Sequence, residues 1–288
     1  MSPPVSSSLQ ELLGLLDLEQ LETDVFRGQS PDDFRQRVFG GQVAGQALVA
    51  AGRTVEAERA VHSLHAYFLR PGDPKIPILY LVDRIRDGRS FTTRRVVAVQ
   101  HGKAIFNLAA SFTAGEPGME HQVTAPTVTP AERLPPLAEA LAGHADNPVV
   151  EWVATSPIEL RYAGAHPLLV ERGVEHEAST AVWLRAAGTL PDDPLIHVCV
   201  LTYASDITLL DSALLAHGKA WGRGEVLGAS LDHAMWFHRP FRADEWLLYD
   251  QHSPTATGGR ALAEGRIFTE AGDLAVTVVQ EGLMRTPR

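Results

Sequence analysis

The sequence contains an internal repeat, which limits the chain to folds with two similar halves. Residues 65–68 (HAYF), soon followed by an Arg-Pro pair, resemble residues 233–236 (HAMW), which also lead to an Arg-Pro pair. Gly102, in a predicted turn of the first half, matches Gly272, and all these matches lie about 168 to 170 residues apart. In each half a predicted helix precedes about four strands that are separated by turn residues. Two antiparallel sheets that merely share turn residues are the alternative explanation.

Two segments supply the predicted helices. Residues 38–55 (VFGGQVAGQALVAAGRTV) are rich in Gly and Ala, which favours a slim helix that can lie close against a sheet. Residues 192–206 (DDPLIHVCVLTYASD) begin with an Asp-Pro helix start and are apolar nearly all round, which predicts a buried helix that ends near Asp206. The alternation of Ile and Val within this second segment leaves a strand as the alternative.

A helix followed by four or more antiparallel strands that wrap around it describes the hotdog fold, an α+β architecture. Two such units in one chain make a double hotdog. Six prolines between residues 117 and 148 indicate a linker between the halves. The predicted boundaries are residues 1–115 for the first hotdog half, 116–150 for the Pro-rich linker and 151–288 for the second half.

Charge and cysteine content exclude several classes of protein. The chain of 288 residues has 35 acidic and 25 basic side chains, and its net charge of −10 argues against a general nucleic-acid binder, although a local basic pocket stays open. Cys199 is the single cysteine, which excludes an internal disulfide and a cysteine-based zinc site. No apolar run reaches the roughly 18 residues of a membrane span. The first residues do not resemble a signal peptide and the final MRTPR is not a peroxisomal address, so we expect a soluble, cytoplasmic protein.

Six motifs in one order resemble the bacterial acyl-CoA thioesterase II family over roughly residues 10–286. These motifs are FGGQVAGQ at residues 39–46, YFLRPG at 67–72, DGRSFTTRR at 87–95, YASD at 203–206, DHAMWFHR at 232–239 and QEGLMR at 280–285. The resemblance implies the double hotdog fold and the hydrolysis of acyl-CoA to a free fatty acid and CoA, without a cofactor or a metal. It also implies a place in fatty acid metabolism, and we expect medium- to long-chain acyl groups as substrates.

The resemblance further implies a catalytic group of an Asp, a Thr and a Gln that together hold the attacking water. The Asp falls on Asp206 and the Gln on Gln280, whereas the Thr position is occupied by Ser230, which keeps the hydroxyl and loses a methyl group. In such a group Asp206 accepts a proton or a hydrogen bond from water, and the other two side chains fix the orientation of the water. Without the resemblance, Asp206 would be interpreted as a solvent-facing acid at the end of a helix.

Two further sets of residues are candidates for substrate binding. The N–H groups at the start of the glycine-rich helix, at Gly40, Gly41 and Gln42, are expected to polarise the thioester carbonyl. Arg94 and Arg95 belong to a group of five arginines between residues 84 and 95. This group is either a solvated face or a site for the phosphates of CoA.

The repeat also predicts one working site per chain, supplied mostly by the second half. At the repeat spacing, Ser230 falls on His62 and Gln280 falls on Ala110, which has no polar group to hold water. The glycine-rich helix of the first half contains no acid. A second water-activating group of the same kind therefore cannot be assembled from the first half.

Two other functions stay open on the sequence alone. A double-hotdog hydratase or dehydratase would use an Asp–His pair in a different motif, and the chain offers only Asp232-His233. A catalytically silent acyl-CoA-binding protein would have the same fold. The chain contains no G-x-S-x-G motif, which argues against a serine hydrolase of the fold that carries it. His233, His238 and His252 lack the spacing of a metal motif. Assembly into homo-oligomers is also open.

Overall fold

The computed structural model describes residues 7–31 and 37–287. Its helices are α1 (Ser7–Leu16), α2 (Gly40–Gly52), α3 (Leu137–Ala140), α4 (Pro148–Ala154), α5 (Pro194–Ser205) and α6 (Asp211–Leu215). Its strands are β1 (Glu19–Glu22), β2 (Val25–Gly28), β3 (Ala60–Phe68), β4 (Ile78–Asp87), β5 (Phe91–Gln100), β6 (Lys103–Thr113), β7 (Ile158–Tyr162), β8 (Ser179–Ala186), β9 (Leu227–Ser230), β10 (Asp232–Phe237), β11 (Leu247–Thr257), β12 (Arg260–Thr269) and β13 (Leu274–Arg285). Each half thus has a central helix, α2 or α5, that precedes a set of four long antiparallel strands.

The described strands join one antiparallel sheet, and the two halves meet at its centre. The order across the sheet is β1-β2-β4-β5-β6-β3-β10-β13-β12-β11-β8-β7, with β9 also paired to β13. Strands β3 and β10 pair so that Ala66 lies opposite His233 and His65 lies opposite Ala234. Counted outward from this pair, each half adds its strands in the same order, which indicates a pseudo-two-fold axis between β3 and β10. The double hotdog predicted from the sequence is confirmed.

The two central helices pack directly against each other. A Cβ added at Gly41 would lie 2.3 Å from the carbonyl oxygen of Tyr203, and one added at Gly45 would lie 3.2 Å from that of Cys199. These contacts run in opposite directions along α2 and α5, so the helices are antiparallel. The glycines of α2 therefore make room for α5, whereas the sequence suggested that they make room for a sheet.

Helix α5 is the buried helix predicted from the sequence, and the strand alternative is wrong. Asp193 caps its start, since the carboxylate accepts a hydrogen bond from the Leu195 N–H at 2.9 Å, and Pro194 occupies the first turn. The helix ends at Ser205, so Asp206 is its C-cap residue. The apolar helix α5 therefore places the Asp206 carboxylate inside the protein.

The residue-by-residue match between the halves differs from the sequence prediction by one position. His233 is buried whereas His65 is exposed, so the two histidines lie on equivalent strands but on opposite faces of the sheet. The pseudo-two-fold axis exchanges the pair Leu64–Met235 with the pair Ala66–His233, which makes Leu64 the counterpart of His233. Because side chains alternate between faces along a strand, a shift of one residue exchanges the buried and exposed sets.

The linker between the halves covers part of the core. Residues 114–130 contain no helix or strand, and the short helices α3 and α4 follow them. Leu137 of α3 belongs to the main hydrophobic core, and Val149 and Val153 of α4 pack against it. The division of the chain at residues 115 and 150 stays a prediction.

Candidate active site

A cavity of about 600 Å³ lies beside the end of α5. Most of its wall is apolar and comes from both halves and from the linker. These apolar residues include Val38, Phe39, Val43, Phe68, Ile105 and Phe106 of the first half, Leu137 and Val149 of the linker, and Trp152, Val153, Leu160, Leu168, Ile207, Leu210 and Leu231 of the second half. Asp206 and Ser230 are among its polar side chains. This size and this apolar wall are typical of a small-molecule site.

The carboxylate of Asp206 is the centre of a group of hydrogen bonds. Its Oδ1 accepts a hydrogen bond from Ser230 Oγ at 2.8 Å and another from Gln280 Nε2 at 2.5 Å. Ser230 and Gln280 come together because β9 pairs with β13, with Ser230 opposite Gly282. The structure therefore brings together the three residues that the resemblance implied as a catalytic group.

The start of α2 approaches Asp206 from the other side. The Gly41 N–H lies close enough to the carboxylate to lower its pKa by hydrogen bonding. A Cβ added at Gly40 would lie 2.6 Å from Asp206 Oδ2 and 2.9 Å from the ring of Phe68, so this position needs a glycine. The first N–H groups of a helix have no partner inside it, and a carboxylate there satisfies one of them and is stabilised by the helix dipole.

This geometry changes the expected roles of the three residues at the start of α2. Gly40 lines the cavity, but the N–H of Gly41 is directed at Asp206, where the sequence predicted a contact with the substrate carbonyl. The Gln42 side chain is buried and donates hydrogen bonds to the carbonyl oxygen of Gln29 at 3.0 Å and to Ser30 Oγ at 3.1 Å. Gln42 does not line the cavity and its side-chain amide is engaged within the protein, so the expected role of its backbone N–H in substrate binding stays a prediction.

Burial raises the pKa of the Asp206 carboxyl to about 6, because the charged form loses hydration inside the protein. The hydrogen bonds from Gln280, Ser230 and the Gly41 N–H act in the opposite direction, since they stabilise the carboxylate. A carboxyl group with a pKa in this range can accept a proton near neutral pH and release it again. That property suits a general acid–base group.

Arg94 and Arg95 lie outside the cavity. Arg94 is fully buried, and its five N–H groups have acceptors in the hydroxyl and carbonyl oxygens of Thr54, the carbonyl oxygens of Arg86 and Thr93, and the carboxylate of Asp87. Because its donors are used within the protein, the structure contradicts the prediction that Arg94 binds the phosphates of CoA. Arg95 is exposed and forms an ion pair with Asp83, so it belongs to a solvated face.

A second carboxylate in the cavity, that of Asp211 in α6, had no motif to point to it. It accepts hydrogen bonds from the Tyr162 hydroxyl at 2.5 Å and from Trp221 Nε1 at 2.8 Å, and all three side chains line the cavity. Burial raises the pKa of Asp211 to about 6. The only signal in the sequence is a further acid within the same apolar segment, and an ordinary helix start produces the same pattern.

Within residues 7–31 and 37–287, no three His, Cys, Asp or Glu side chains are placed to hold a metal ion. Cys199 is fully buried, and burial raises the pKa of its thiol far above the usual range, so this side chain packs in the core as an uncharged thiol. In the same part of the chain, no helix is both long and apolar enough to cross a bilayer.

Comparisons with known proteins identify relatives along almost the whole chain. A family model described as acyl-CoA thioesterase matches residues 157–283, and a second one, described as acyl-CoA thioesterase N-terminal domain, matches residues 30–113. The chain is 42% identical over 281 residues to human acyl-coenzyme A thioesterase 8, with 94% of this chain and 88% of that protein covered. It is 38% identical to acyl-CoA thioesterase 2 of Haemophilus influenzae, with 98% and 99% covered. The crystal structure of an acyl-CoA thioesterase II from Mycobacterium marinum matches with a TM-score of 0.79 at 47% identity, covering 96% of this chain and 98% of that one.

Proposed function

Because this chain belongs to the acyl-CoA thioesterase II family, we propose that it hydrolyses acyl-CoA to a free fatty acid and CoA at the carboxylate of Asp206. One observation carries the proposal: Asp206 Oδ1 accepts hydrogen bonds from both Ser230 and Gln280 on the wall of a largely apolar cavity. A carboxylate with two oriented polar neighbours suits activation of a water molecule. The apolar cavity beside it suits the acyl chain of the substrate.

The three side chains can hold the water in one orientation. Ser230 donates its hydroxyl proton to Asp206 and keeps lone pairs that can accept a hydrogen bond from water. Gln280 donates one amide N–H to Asp206, and its second N–H can be given to the water oxygen. The water in turn donates to the carboxylate of Asp206, which leaves a lone pair for the carbonyl carbon of the thioester.

The reaction then uses one carboxyl group as base and as acid. As the water oxygen bonds to the carbonyl carbon, a proton passes from the water to Asp206. The C–S bond breaks in the next step, and the same proton goes to the sulfur of CoA, so that Asp206 is ionised again. The positive end of the α2 dipole lies next to the site, where it favours the negative charge that develops on the carbonyl oxygen.

We further propose medium- to long-chain acyl groups as substrates. The cavity wall runs from Phe39 and Phe68 to Trp152 of α4, and each CH₂ group buried against such a wall contributes about 0.8 kcal/mol. A short acyl group would leave much of this wall in contact with water. The cytoplasmic location and the assembly into homo-oligomers stay predictions.

Release of free thiol from a series of acyl-CoA thioesters, from acetyl to palmitoyl, tests the proposal. We expect catalysed release, with a kcat/KM that rises from the short to the medium and long chains, against a control of the same thioesters in buffer alone. Tight binding of acyl-CoA with no thiol release at any chain length would contradict hydrolysis and indicate a silent binding protein. Addition of water to an enoyl-CoA without thiol release would instead indicate a hydratase.

A further inference from the structure

The buried histidine of β10 lies between two residues next to the proposed catalytic carboxylate. His233 Nε2 is 2.8 Å from the hydroxyl oxygen of Ser205, the last residue of α5. The register that pairs Ala234 with Val279 places His233 opposite Gln280 on the neighbouring strand β13. His233 is 1% exposed, and Ser205 and Gln280 are 0% exposed, so an unpaired polar atom on any of these side chains is destabilising.

Two buried polar atoms of this group lack a hydrogen-bond partner of normal geometry among the described residues, namely His233 Nδ1 and Gln280 Oε1. Each is the remaining polar atom of a side chain whose Nε2 is already engaged. Gln280 is nevertheless close enough to raise the pKa of His233 by hydrogen bonding, against the larger and opposite effect of burial. Since an unpaired buried polar group is destabilising, a bond between Nδ1 and Oε1 is the arrangement that satisfies both atoms.

Donor and acceptor chemistry fixes the direction of this bond. Burial lowers the pKa of His233 to about 4, so at neutral pH its ring is uncharged and has one N–H donor and one acceptor. The carboxylate of Asp206 only accepts, so Gln280 must present Nε2 to Asp206 and Oε1 to His233. Because Oε1 needs a donor, the proton of His233 belongs on Nδ1. Its Nε2 then accepts a hydrogen bond from the Ser205 hydroxyl.

The opposite tautomer works against the catalytic geometry. With the proton on Nε2, His233 would donate to Ser205, whose own proton can go to the Thr202 carbonyl oxygen at 2.9 Å. The lone pair on Nδ1 would then face the lone pairs of Gln280 Oε1, and the two would repel. A rotation of the amide by about 180°, which presents Nε2 to Nδ1, would relieve this repulsion. A turned amide would put its oxygen against the carboxylate of Asp206 and would remove an N–H from the water site.

We propose that His233 is a positioning residue for thioester hydrolysis: protonated on Nδ1, it holds the Gln280 amide so that Nε2 faces Asp206 and the attacking water. This inference rests on the proposed function. The fold does not require a histidine at this position, because the counterpart in the first half is Leu64, which is also buried and lies opposite Ala110. The presence of a histidine at position 233 is therefore explained by its polar neighbours in the second half, and not by the packing of the sheet.

Three single variants test this inference. His233→Leu removes both ring nitrogens, and the presence of Leu64 at the equivalent buried position argues that the fold accommodates leucine there. In His233→Asn, the side-chain N–H can take the place of the Nδ1–H. His65→Leu is the matched control, because His65 lies on the equivalent strand, is exposed and contacts Trp236.

We expect His233→Leu to lower the kcat of thiol release by about 10- to 100-fold, with KM little changed. His233→Asn should recover most of this loss, and His65→Leu should behave as wild type. The acid limb of the pH profile, which is the fall of kcat/KM at low pH, should also move to higher pH in His233→Leu. The reason is that the Gln280 hydrogen bond that lowers the pKa of Asp206 is weakened. A merely structural role would reduce the folded fraction and leave this limb in place.

A double-mutant cycle gives the decisive comparison. In a Gln280→Leu background, His233→Leu should cause no further loss of kcat, because both changes remove the same oriented amide. Equal losses in both backgrounds, or a folded His233→Leu protein with wild-type kcat and acid limb, would overturn the inference.

Two further measurements keep the test decisive if the first variants fail. If His233→Leu does not fold, Ser205→Ala removes the donor to Nε2 and keeps the ring, and it must still move the acid limb to higher pH; an unmoved limb would overturn the inference. A wild-type protein without thiol release would contradict the proposed function alone. The pKa of Asp206, measured by ¹³C NMR in wild type and in the His233 variants, then tests the positioning by itself: a raised value supports it and an unchanged value overturns it.

Discussion

At the scale of single residues, the proposed hydrolysis depends on the charge of Asp206. The carboxyl group must be ionised to accept a proton from water, and burial raises its pKa to about 6. We therefore expect kcat/KM for thiol release to fall as the pH drops through about 6, by roughly tenfold per pH unit below it, and to be level just above it. A profile that stays level through this range would mean that the essential base is not Asp206.

Ser230→Ala should have a smaller effect than the loss of Asp206. Ser230 donates one of the hydrogen bonds that lower the pKa of Asp206, so without it the acid limb should move to higher pH. The rate above the limb should fall moderately, because Gln280 still holds the water. Ser230→Thr is the matched control, since it keeps the hydroxyl, and it should retain most of the activity. A limb that moves to lower pH in Ser230→Ala would contradict this assignment.

The sequence could predict Asp206, Ser230 and Gln280 because each stands in or beside a short motif of the resembled family. It could not predict the partners of these residues. The placement of His233 opposite Gln280 depends on the register of two strands whose residues are distant in the chain. The place of Asp211 in the cavity depends on hydrogen bonds from Tyr162 and from Trp221, and Trp221 lies outside the helices and strands, where the sequence has no periodic pattern.

At the scale of elements, Arg94 ties the end of α2 to the turn between β4 and β5. Arg94→Met would leave the buried Thr54 carbonyl oxygen without this donor, and an unpaired buried group costs about 1 to 3 kcal/mol. We expect a clear loss of stability in urea unfolding, with KM for acyl-CoA unchanged in the folded protein.

Arg95→Met is the matched control for this prediction. Arg95 and Asp83 are both exposed, and a surface ion pair of this kind contributes about 0 to 1 kcal/mol. Its loss should change neither the unfolding midpoint nor KM appreciably. A raised KM with unchanged stability in Arg94→Met would instead support the phosphate site that the sequence suggested.

Arg94 is buried and Arg95 is exposed, and the sequence of their strand does not predict which of the two is buried. Strand alternation states only that Arg94 and Arg95 face opposite sides. It does not predict which side is buried, and two of the acceptors for the buried guanidinium come from Thr54, outside the arginine-rich segment. The helices were predictable for the opposite reason, since glycine content, an Asp-Pro start and apolar content are local properties.

At the scale of the whole molecule, the halves share a fold but differ in chemistry. The spacing that makes Leu64 the counterpart of His233 makes Val61 the counterpart of Ser230, and the strand pairs match Gln280 with Ala110. The sequence prediction was right for Ala110 and wrong for His62, which lies one position away from Val61. All three counterparts are apolar, and α2 is capped by Arg53 where α5 is capped by Asp206. This asymmetry supports one working site per chain.

The error of one position has a physical cause. The histidines at 65 and 233 were matched because these residues and their neighbours are similar in type. The two-fold axis instead relates buried residues to buried residues, whatever their type. A repeat found by identity alone is therefore accurate for strands and turns, and it can miss which face a residue occupies.

The turnover of Asp206→Asn gives a direct test of the proposed site, because this substitution keeps the shape of the side chain and removes the proton acceptor. Thiol release at saturating acyl-CoA would be compared with wild type, and binding of a non-hydrolysable thioester analogue would be titrated in the same preparations. We expect turnover to fall by on the order of 10²–10⁴, with the affinity for the analogue nearly intact and one analogue bound per chain. Retention of half the wild-type turnover, or binding of two analogues per chain at sites of equal activity, would contradict a single site built on Asp206.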